Sequence, residues 1–147
     1  MSASMKWKLK AKTTKVNRAA TRPRHDLEHY CRDLNGWPRS WMGLEKDLPP
    51  GEQLIALLRP FLEYLVGSDL SPKTIQKHVD NVWVLGGEFI RGLNYDPSLR
   101  KKPVDVVLRR MIESDGGPLL YHCGEDEQRS FDSTCRKLCQ FLTETAR

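Results

Sequence analysis

The feature that most constrains the fold is a helical pattern in the stretch SDLSPKTIQKHVDNVWVLGGEFIRGL, residues 68–93. Ser71 is typical of a helix N-cap, and Pro72 suits the first helical position, where a missing N–H costs nothing. Residues at steps of three or four then share one apolar face over about five turns: Ile75, Val79, Val82, Gly86, Phe89 or Ile90, and Leu93. The stretch predicts one long amphipathic helix.

Gly86 lies on the apolar face of this predicted helix, with Gly87 beside it. A glycine inside a helix costs roughly 1 kcal/mol relative to alanine. We interpret Gly86 as the point where the backbone of another helix comes close.

Three further long helices and one short one follow from the same kind of pattern. The expected segments are a short helix from Asp26 to Leu34, a mostly buried helix from Gly51 to Val66, one that starts at Pro103, and a last one opened by Glu125 and running to Arg147. Pro60 is expected to kink the second segment or divide it near Ala56 to Arg59.

The connecting segments are expected to be irregular. WPRSWMGLEKDLPP, residues 37–50, has no clear periodicity and is interpreted as a loop that its large side chains anchor to the core. RKKP, residues 100–103, is predicted to be an exposed basic turn. The fold class is therefore all-α, with four principal helices, a short leading one and no strand pairs.

Length and composition favour one domain in the cytoplasm. The chain has 147 residues, of which 39% are apolar, and residues 25–147 suffice for a single core. The sequence has no run of 18 or more apolar residues that would span a membrane, and its start does not resemble a secretory signal. Four cysteines without such a signal fit a reducing compartment.

Charge is distributed unevenly along the chain. Residues 1–24, here called the basic arm, contain no acid and eight basic side chains: Lys6, Lys8, Lys10, Lys12, Lys15, Arg18, Arg22 and Arg24. The other 123 residues have 16 basic and 19 acidic side chains, a net charge of −3. The arm lacks an apolar stripe and is expected to be disordered in isolation. It suits an anionic partner, most often nucleic acid, with a solubilising tail and a targeting segment as the alternatives.

Sites for enzymatic chemistry are not indicated. His25 and His29, like Cys135 and Cys139, are one helical turn apart, but neither pair has the spacing of a structural zinc site. The cysteines are expected to be buried and the histidines solvated. The sequence has no nucleophile elbow and no glycine-rich phosphate loop. We therefore expect no metal, no cofactor, no small-molecule substrate and no enzymatic activity.

Nucleic-acid contact has more support. Lys73 and Lys77 are four residues apart near the start of the long helix, and Thr74 lies beside them. Short polar groups and backbone N–H groups at a helix N-terminus suit a phosphate. A flexible basic segment next to a helical body is a recurrent way to clamp DNA.

The stretch FLEYLVGSDLSPKTIQKHVDNVWVLGGEFI, residues 61–90, resembles the N-terminal core-binding domain of tyrosine recombinases and phage integrases. In that family a Ser-Pro-x-Thr start opens the second of four helices, and residues 70–75 match it. RSFDSTCRKLCQFL, residues 129–142, resembles the fourth helix. The similarity covers roughly residues 51–145, and the chain is also similar to uncharacterised bacterial proteins.

The resemblance implies a helical bundle that holds one face of duplex DNA. By position, it implies backbone contacts from Lys73, Thr74 and Lys77 on the second helix and from Arg136 and Lys137 on the fourth. The family's catalytic Arg, His-x-x-Arg and Tyr set is missing here, so no recombinase activity is implied. A protein-interaction or regulatory module, whose acidic body docks a partner, is the alternative expectation.

Overall fold

The computed structural model describes residues 26–113, 115–121 and 123–145. This part of the chain is all-α, as the sequence predicts, and it contains no strand beyond one isolated bridge between Glu113 and Gly116. Its α-helices are α1 (Leu27–Tyr30), α2 (Trp37–Trp41), α3 (Leu48–Val66), α4 (Pro72–Tyr95), α5 (Val104–Met111) and α6 (Glu125–Thr145). Three short 3-10 helices span Leu34–Gly36, Glu45–Asp47 and Pro97–Lys101.

Helices α3 and α4 are the centre of the packing. They contact each other, α5 packs on α3, and α6 packs on α4, while α1 and α2 contact both central helices. Three phenylalanines, one from each of the longest helices, are almost completely buried in the shared core: Phe61, Phe89 and Phe131. Among the described helices, none has the length and apolar character needed to cross a lipid bilayer.

The long helix α4 begins as the sequence predicts. Ser71 is its N-cap, Pro72 is its first residue, and its predicted apolar face is buried. Helix α6 likewise begins at Glu125, with three acids in its first turn, where they complement the helix dipole. Four predicted positions of α6 form its buried stripe: Phe131, Cys135, Leu138 and Leu142.

The segment from Trp37 to Asp47 differs from the prediction. It was expected to be a loop, but Trp37–Trp41 is a helix with Pro38 in its first turn, and Glu45–Asp47 is a 3-10 turn. Trp37 and Trp41 are both buried, and their rings lie 5.9 Å apart. The expectation that large side chains anchor the segment to the core is confirmed for Trp37 and Trp41, whereas Leu44 is 50% exposed and Met42 only half-buried.

Two helix boundaries also differ. Helix α1 ends at Tyr30 instead of Leu34, and α3 begins at Leu48 instead of Gly51. The early start of α3 is possible because prolines in a first helical turn lack only N–H groups that have no helical partner. Pro60 does not divide α3, which is one helix from Leu48 to Val66.

Gly86 is in close contact with another part of the chain, as predicted, but the contact is with a side chain and not with a backbone. A Cβ atom on Gly86 would lie 2.0 Å from Cζ2 of Trp41, so the prediction of a neighbouring helix backbone is wrong. The Trp41 indole occupies the space that a larger residue would need, and its Nε1 donates a hydrogen bond to the Trp83 carbonyl oxygen at 2.9 Å. This contact fixes α2 on α4.

Candidate nucleic-acid interface

The start of α4 is closed by its own cap. The Ser71 hydroxyl oxygen accepts a hydrogen bond from the Thr74 backbone N–H at 3.2 Å, and it donates one to the Thr74 hydroxyl at 2.9 Å. The Thr74 backbone N–H is therefore already satisfied. Because the Thr74 hydroxyl accepts the bond from Ser71, its own proton is what Thr74 can donate to a phosphate.

Lys73 and Lys77 are both exposed on the first two turns of α4. Residues four apart are neighbours on a helix surface, so the two ammonium groups share one side of α4. Asp80, also exposed, follows one turn after Lys77.

The packing of α6 on α4 brings the second set of predicted residues to this side. A groove of about 650 Å³ lies along α6, and His78 of α4 contributes to it. Arg136 and Lys137 both line this α4–α6 groove. Arg136 is exposed, and its guanidinium also donates a hydrogen bond to the Asp115 carbonyl oxygen at 3.3 Å.

The charges of two of the predicted lysines both act on His78. Burial, and then the positive charges of Lys77 and Lys137, lower the pKa of His78 from 6.5 to about 4. Lys77 and Lys137 are 60 positions apart in sequence, yet both ammonium groups act on one imidazole. His78 is therefore neutral at pH 7 and adds no charge of its own to the groove.

A buried polar network lies under the groove. His78 Nδ1 is 2.7 Å from the Thr134 hydroxyl, which also accepts a hydrogen bond from the Asn81 side-chain amide at 2.9 Å. Asn81 donates further to the Ser130 carbonyl and hydroxyl oxygens, at 3.2 and 3.1 Å. These bonds join α4 to α6, so they fix the relative position of the two helices that carry the lysines.

Among the described residues, one acid lines the groove. Glu144 lines its far end and accepts a hydrogen bond from the Gln140 amide at 3.2 Å. Two basic side chains, Arg136 and Lys137, line the same groove, so its charged residues are predominantly positive.

The remaining predicted contacts belong to the basic arm. Its residues, Lys6, Lys8, Lys10, Lys12, Lys15, Arg18, Arg22 and Arg24, lie outside the described residues. The arm joins the described part of the chain just before Asp26, the N-cap of α1.

The candidate metal ligands are not brought together in the part of the chain that the structure describes. No group of three or more His, Cys, Asp or Glu side chains there could hold a metal ion. Cys135 is completely buried, as predicted, and burial raises the pKa of its thiol to about 12. His25 lies outside the described residues, and His29 is exposed.

Two features of the polar interior were not predicted. The contact of His78 with Thr134 joins residues 56 apart, and the only signal for it was a histidine beside the apolar face of α4. Arg100, expected in an exposed basic turn, is instead mostly buried and bound to Asp47. A pair of opposite charges far apart in sequence gives no local pattern that reveals it.

Comparison of the chain with protein-family models, with curated proteins and with solved structures found no match.

Proposed function

We propose that this protein is a non-enzymatic helical module that binds duplex DNA, and that the α4–α6 groove meets the phosphate backbone. The observation that carries the proposal is that Lys137 of α6 and His78 of α4 line one groove, and that His78 follows Lys77 in the chain, so that the charges of both lysines lower the pKa of His78. Arg136 lines the same groove, and Lys73 lies one turn before Lys77. Cations carried by packed helices are suited to phosphate contacts, which position a protein on DNA.

The same residues are those that the integrase resemblance implies. In that family the second and fourth helices of the bundle supply backbone contacts, and here α4 and α6 carry Lys73, Thr74 and Lys77, and Arg136 and Lys137. The likeness of arrangement supports the proposal of a core-binding-like module for DNA.

The basic arm supplies most of the charge in this proposal. Residues 25–147 have a net charge of −3, so at long range that part repels DNA. Eight cations in the arm that neutralise most of eight phosphates give a log–log salt slope of about −5 to −7. The folded body then adds a smaller number of fixed contacts.

The test is the affinity of the full chain for duplex DNA, measured by fluorescence anisotropy over a range of salt concentrations. We expect Lys77→Gln/Lys137→Gln to weaken binding. The log–log salt slope should become shallower by about one to two, which corresponds to the loss of one or two phosphate contacts. The matched control is Arg109→Gln/Arg110→Gln, which removes the same charge from exposed positions on α5. It should leave the affinity closer to that of the wild type.

Two outcomes contradict the proposal. A full-length protein that does not bind duplex DNA at low salt is not a DNA-binding module. If both double variants weaken binding equally, only net charge matters, and the α4–α6 groove is not the contact surface. Replacing the eight basic residues of the arm by glutamine should flatten the salt dependence most of all.

A protein-interaction role is the second candidate, and a different groove favours it. Tyr30, Trp37 and Trp83 line a groove of about 420 Å³ that also contains Asp33 and Asp80. Trp83 is 42% exposed, and an aromatic face beside carboxylates suits an arginine or lysine of a partner peptide. Nuclease treatment separates the candidates: a partner bound through nucleic acid is lost, whereas one bound here is retained and is released by Asp80→Asn.

A further inference from the structure

A second cavity lies away from the α4–α6 groove, where α3, α4, α5 and the 3-10 helix Pro97–Lys101 meet. It has a volume of about 250 Å³. Most of its wall is apolar, and five of the side chains that form it are Phe89, Leu93, Leu99, Val104 and Val107. We call it the α3–α5 cavity.

The charged side chains around the α3–α5 cavity all have the same sign. Lys46, Arg100 and Lys102 line it, and no acidic residue of the described part of the chain does. Lys46 and Lys102 are exposed, so their ammonium groups stand at the mouth of the cavity rather than in the core. An apolar wall with cations at its mouth has the character of a site for an organic anion.

Arg100 links the mouth to the interior. Its Nη2 donates to Asp47 Oδ1 at 2.5 Å and to Asn94 Oδ1 at 2.7 Å, and its Nη1 donates to the Lys46 carbonyl oxygen at 3.2 Å. Asp47 balances the charge of Arg100, which leaves Lys46 and Lys102 as the net positive charge of this site. The buried Arg100 Nε has no hydrogen-bond partner among the described residues. A guanidinium has five N–H donors, and an unused buried one is uncommon.

We propose that the α3–α5 cavity binds a small amphipathic anion, a carboxylate joined to an unbranched apolar chain. The volume equals that of about eight water molecules at ~30 Å³ each, which accommodates a chain of about six to eight carbon atoms. The carboxylate would lie between Lys46 and Lys102 at the mouth of the cavity. The apolar chain would lie against the half-buried Leu99 and Val104, above Phe89, Leu93 and Val107, which are 1%, 2% and 3% exposed.

The experiment is a titration of the full-length protein with sodium hexanoate and sodium octanoate, with 1-octanol as the uncharged control, followed by amide and methyl NMR. We expect saturable shifts centred on Leu93, Leu99, Val104 and Val107. Octanoate should bind more tightly than hexanoate, by about fourfold for each added methylene that is buried. It should also bind more tightly than 1-octanol.

Variants distinguish the contribution of the lysine charges to binding from that of the cavity volume. Lys46→Gln/Lys102→Gln removes two exposed ion pairs and should weaken octanoate binding by about tenfold, while 1-octanol binding stays unchanged. The matched control is Lys101→Gln, an exposed lysine next to Lys102 that does not line the cavity, and it should bind octanoate almost as the wild type does. Leu99→Trp, which fills the cavity from its half-buried rim, should abolish binding of both ligands.

Three results would overturn the proposal. The first is an absence of saturable shifts with octanoate. The second is equal affinity for octanoate and 1-octanol, which would mean that the cations play no part. The third is octanoate binding that Leu99→Trp leaves intact, since the ligand would then lie elsewhere.

Discussion

Asp47 and His78 are both buried side chains that join distant parts of the chain, but they do so in opposite states of charge. Asp47 is completely buried and ionised, and it receives hydrogen bonds from Arg100, Asn94 and the backbone N–H groups of Gly43 and Leu44. His78 is 4% exposed and neutral, and its one polar contact within the described residues is the Thr134 hydroxyl.

The pKa values of the two groups show how each state is maintained. Burial acts to raise the pKa of Asp47, but the hydrogen bonds, led by that from Arg100, outweigh burial and hold the pKa well below its usual value. His78 has no acid to stabilise its cation, so burial and two nearby lysines lower its pKa to about 4. A buried group stays charged where the chain supplies enough partners, and otherwise it becomes neutral.

Breaking the buried ion pair between Arg100 and Asp47 should have the largest effect on stability. Arg100→Met keeps most of the side-chain volume but leaves Asp47 buried without its cation. Removal of one partner of a buried pair costs about 3–5 kcal/mol, and we expect a loss of that size in the free energy of unfolding in urea at pH 7. The control is Arg109→Met on the exposed side of α5, which should cost under about 0.5 kcal/mol. Similar effects of the two substitutions would contradict the importance of the buried pair.

Lowering the pH should distinguish His78 from Asp47, because each loses its contribution to stability in a different pH range. Because the pKa of His78 is lower in the folded state, the unfolded chain binds more protons between pH 6.5 and 4, and stability falls as the pH is lowered through this range. The contribution of His78 to this loss is about 2 kcal/mol at pH 5. The pKa of Asp47 is also lowered on folding, but its contribution is lost only below its unfolded value of 3.8.

The measurement is the free energy of unfolding at pH 7 and pH 5 for the wild type and for His78→Gln, which cannot titrate. The wild type should lose about 2 kcal/mol more than the variant over this interval. NMR titration of the His78 ring in the wild type checks the same point without a substitution. A ring that titrates near 6.5 would show that His78 is not buried in the neutral form.

The helices that sequence alone predicted best are those with strong local signals. Ser71 and Pro72 mark the start of α4, and the acids from Glu125 onwards mark the start of α6. The helix Trp37–Trp41 was missed because one and a half turns carry no periodicity, and its order comes from the contact of Trp41 with Gly86, which lies 45 positions away. Long-range packing of this kind leaves no trace in a local pattern.

The individual residues of the candidate DNA interface could be named from the sequence, but their grouping on one surface could not. Lys73 and Lys77 could be paired from helical spacing, and Arg136 and Lys137 from their neighbouring positions in the chain. That Lys77 and Lys137 act on one imidazole depends on how α6 packs against α4, which the Thr134 and Asn81 hydrogen bonds determine. The roles of the eight arm residues remain predictions from composition.

The smallest expected effect is that of Lys137, a residue of the candidate interface, on the pKa of the neutral His78. Lys137 contributes to the low pKa of His78 through its positive charge, so Lys137→Gln should raise that pKa. Solvent screening limits this interaction to about 1 kcal/mol or less. Ring NMR titration of wild type, Lys137→Gln and the control Lys101→Gln measures it, and only Lys137→Gln should shift the titration to higher pH.

Because a phosphate bound between Lys77 and Lys137 would neutralise the same charges, saturation with a short DNA duplex should shift the pKa of His78 in the same direction. A shift caused by the substitution but not by bound DNA would place the DNA elsewhere on the molecule.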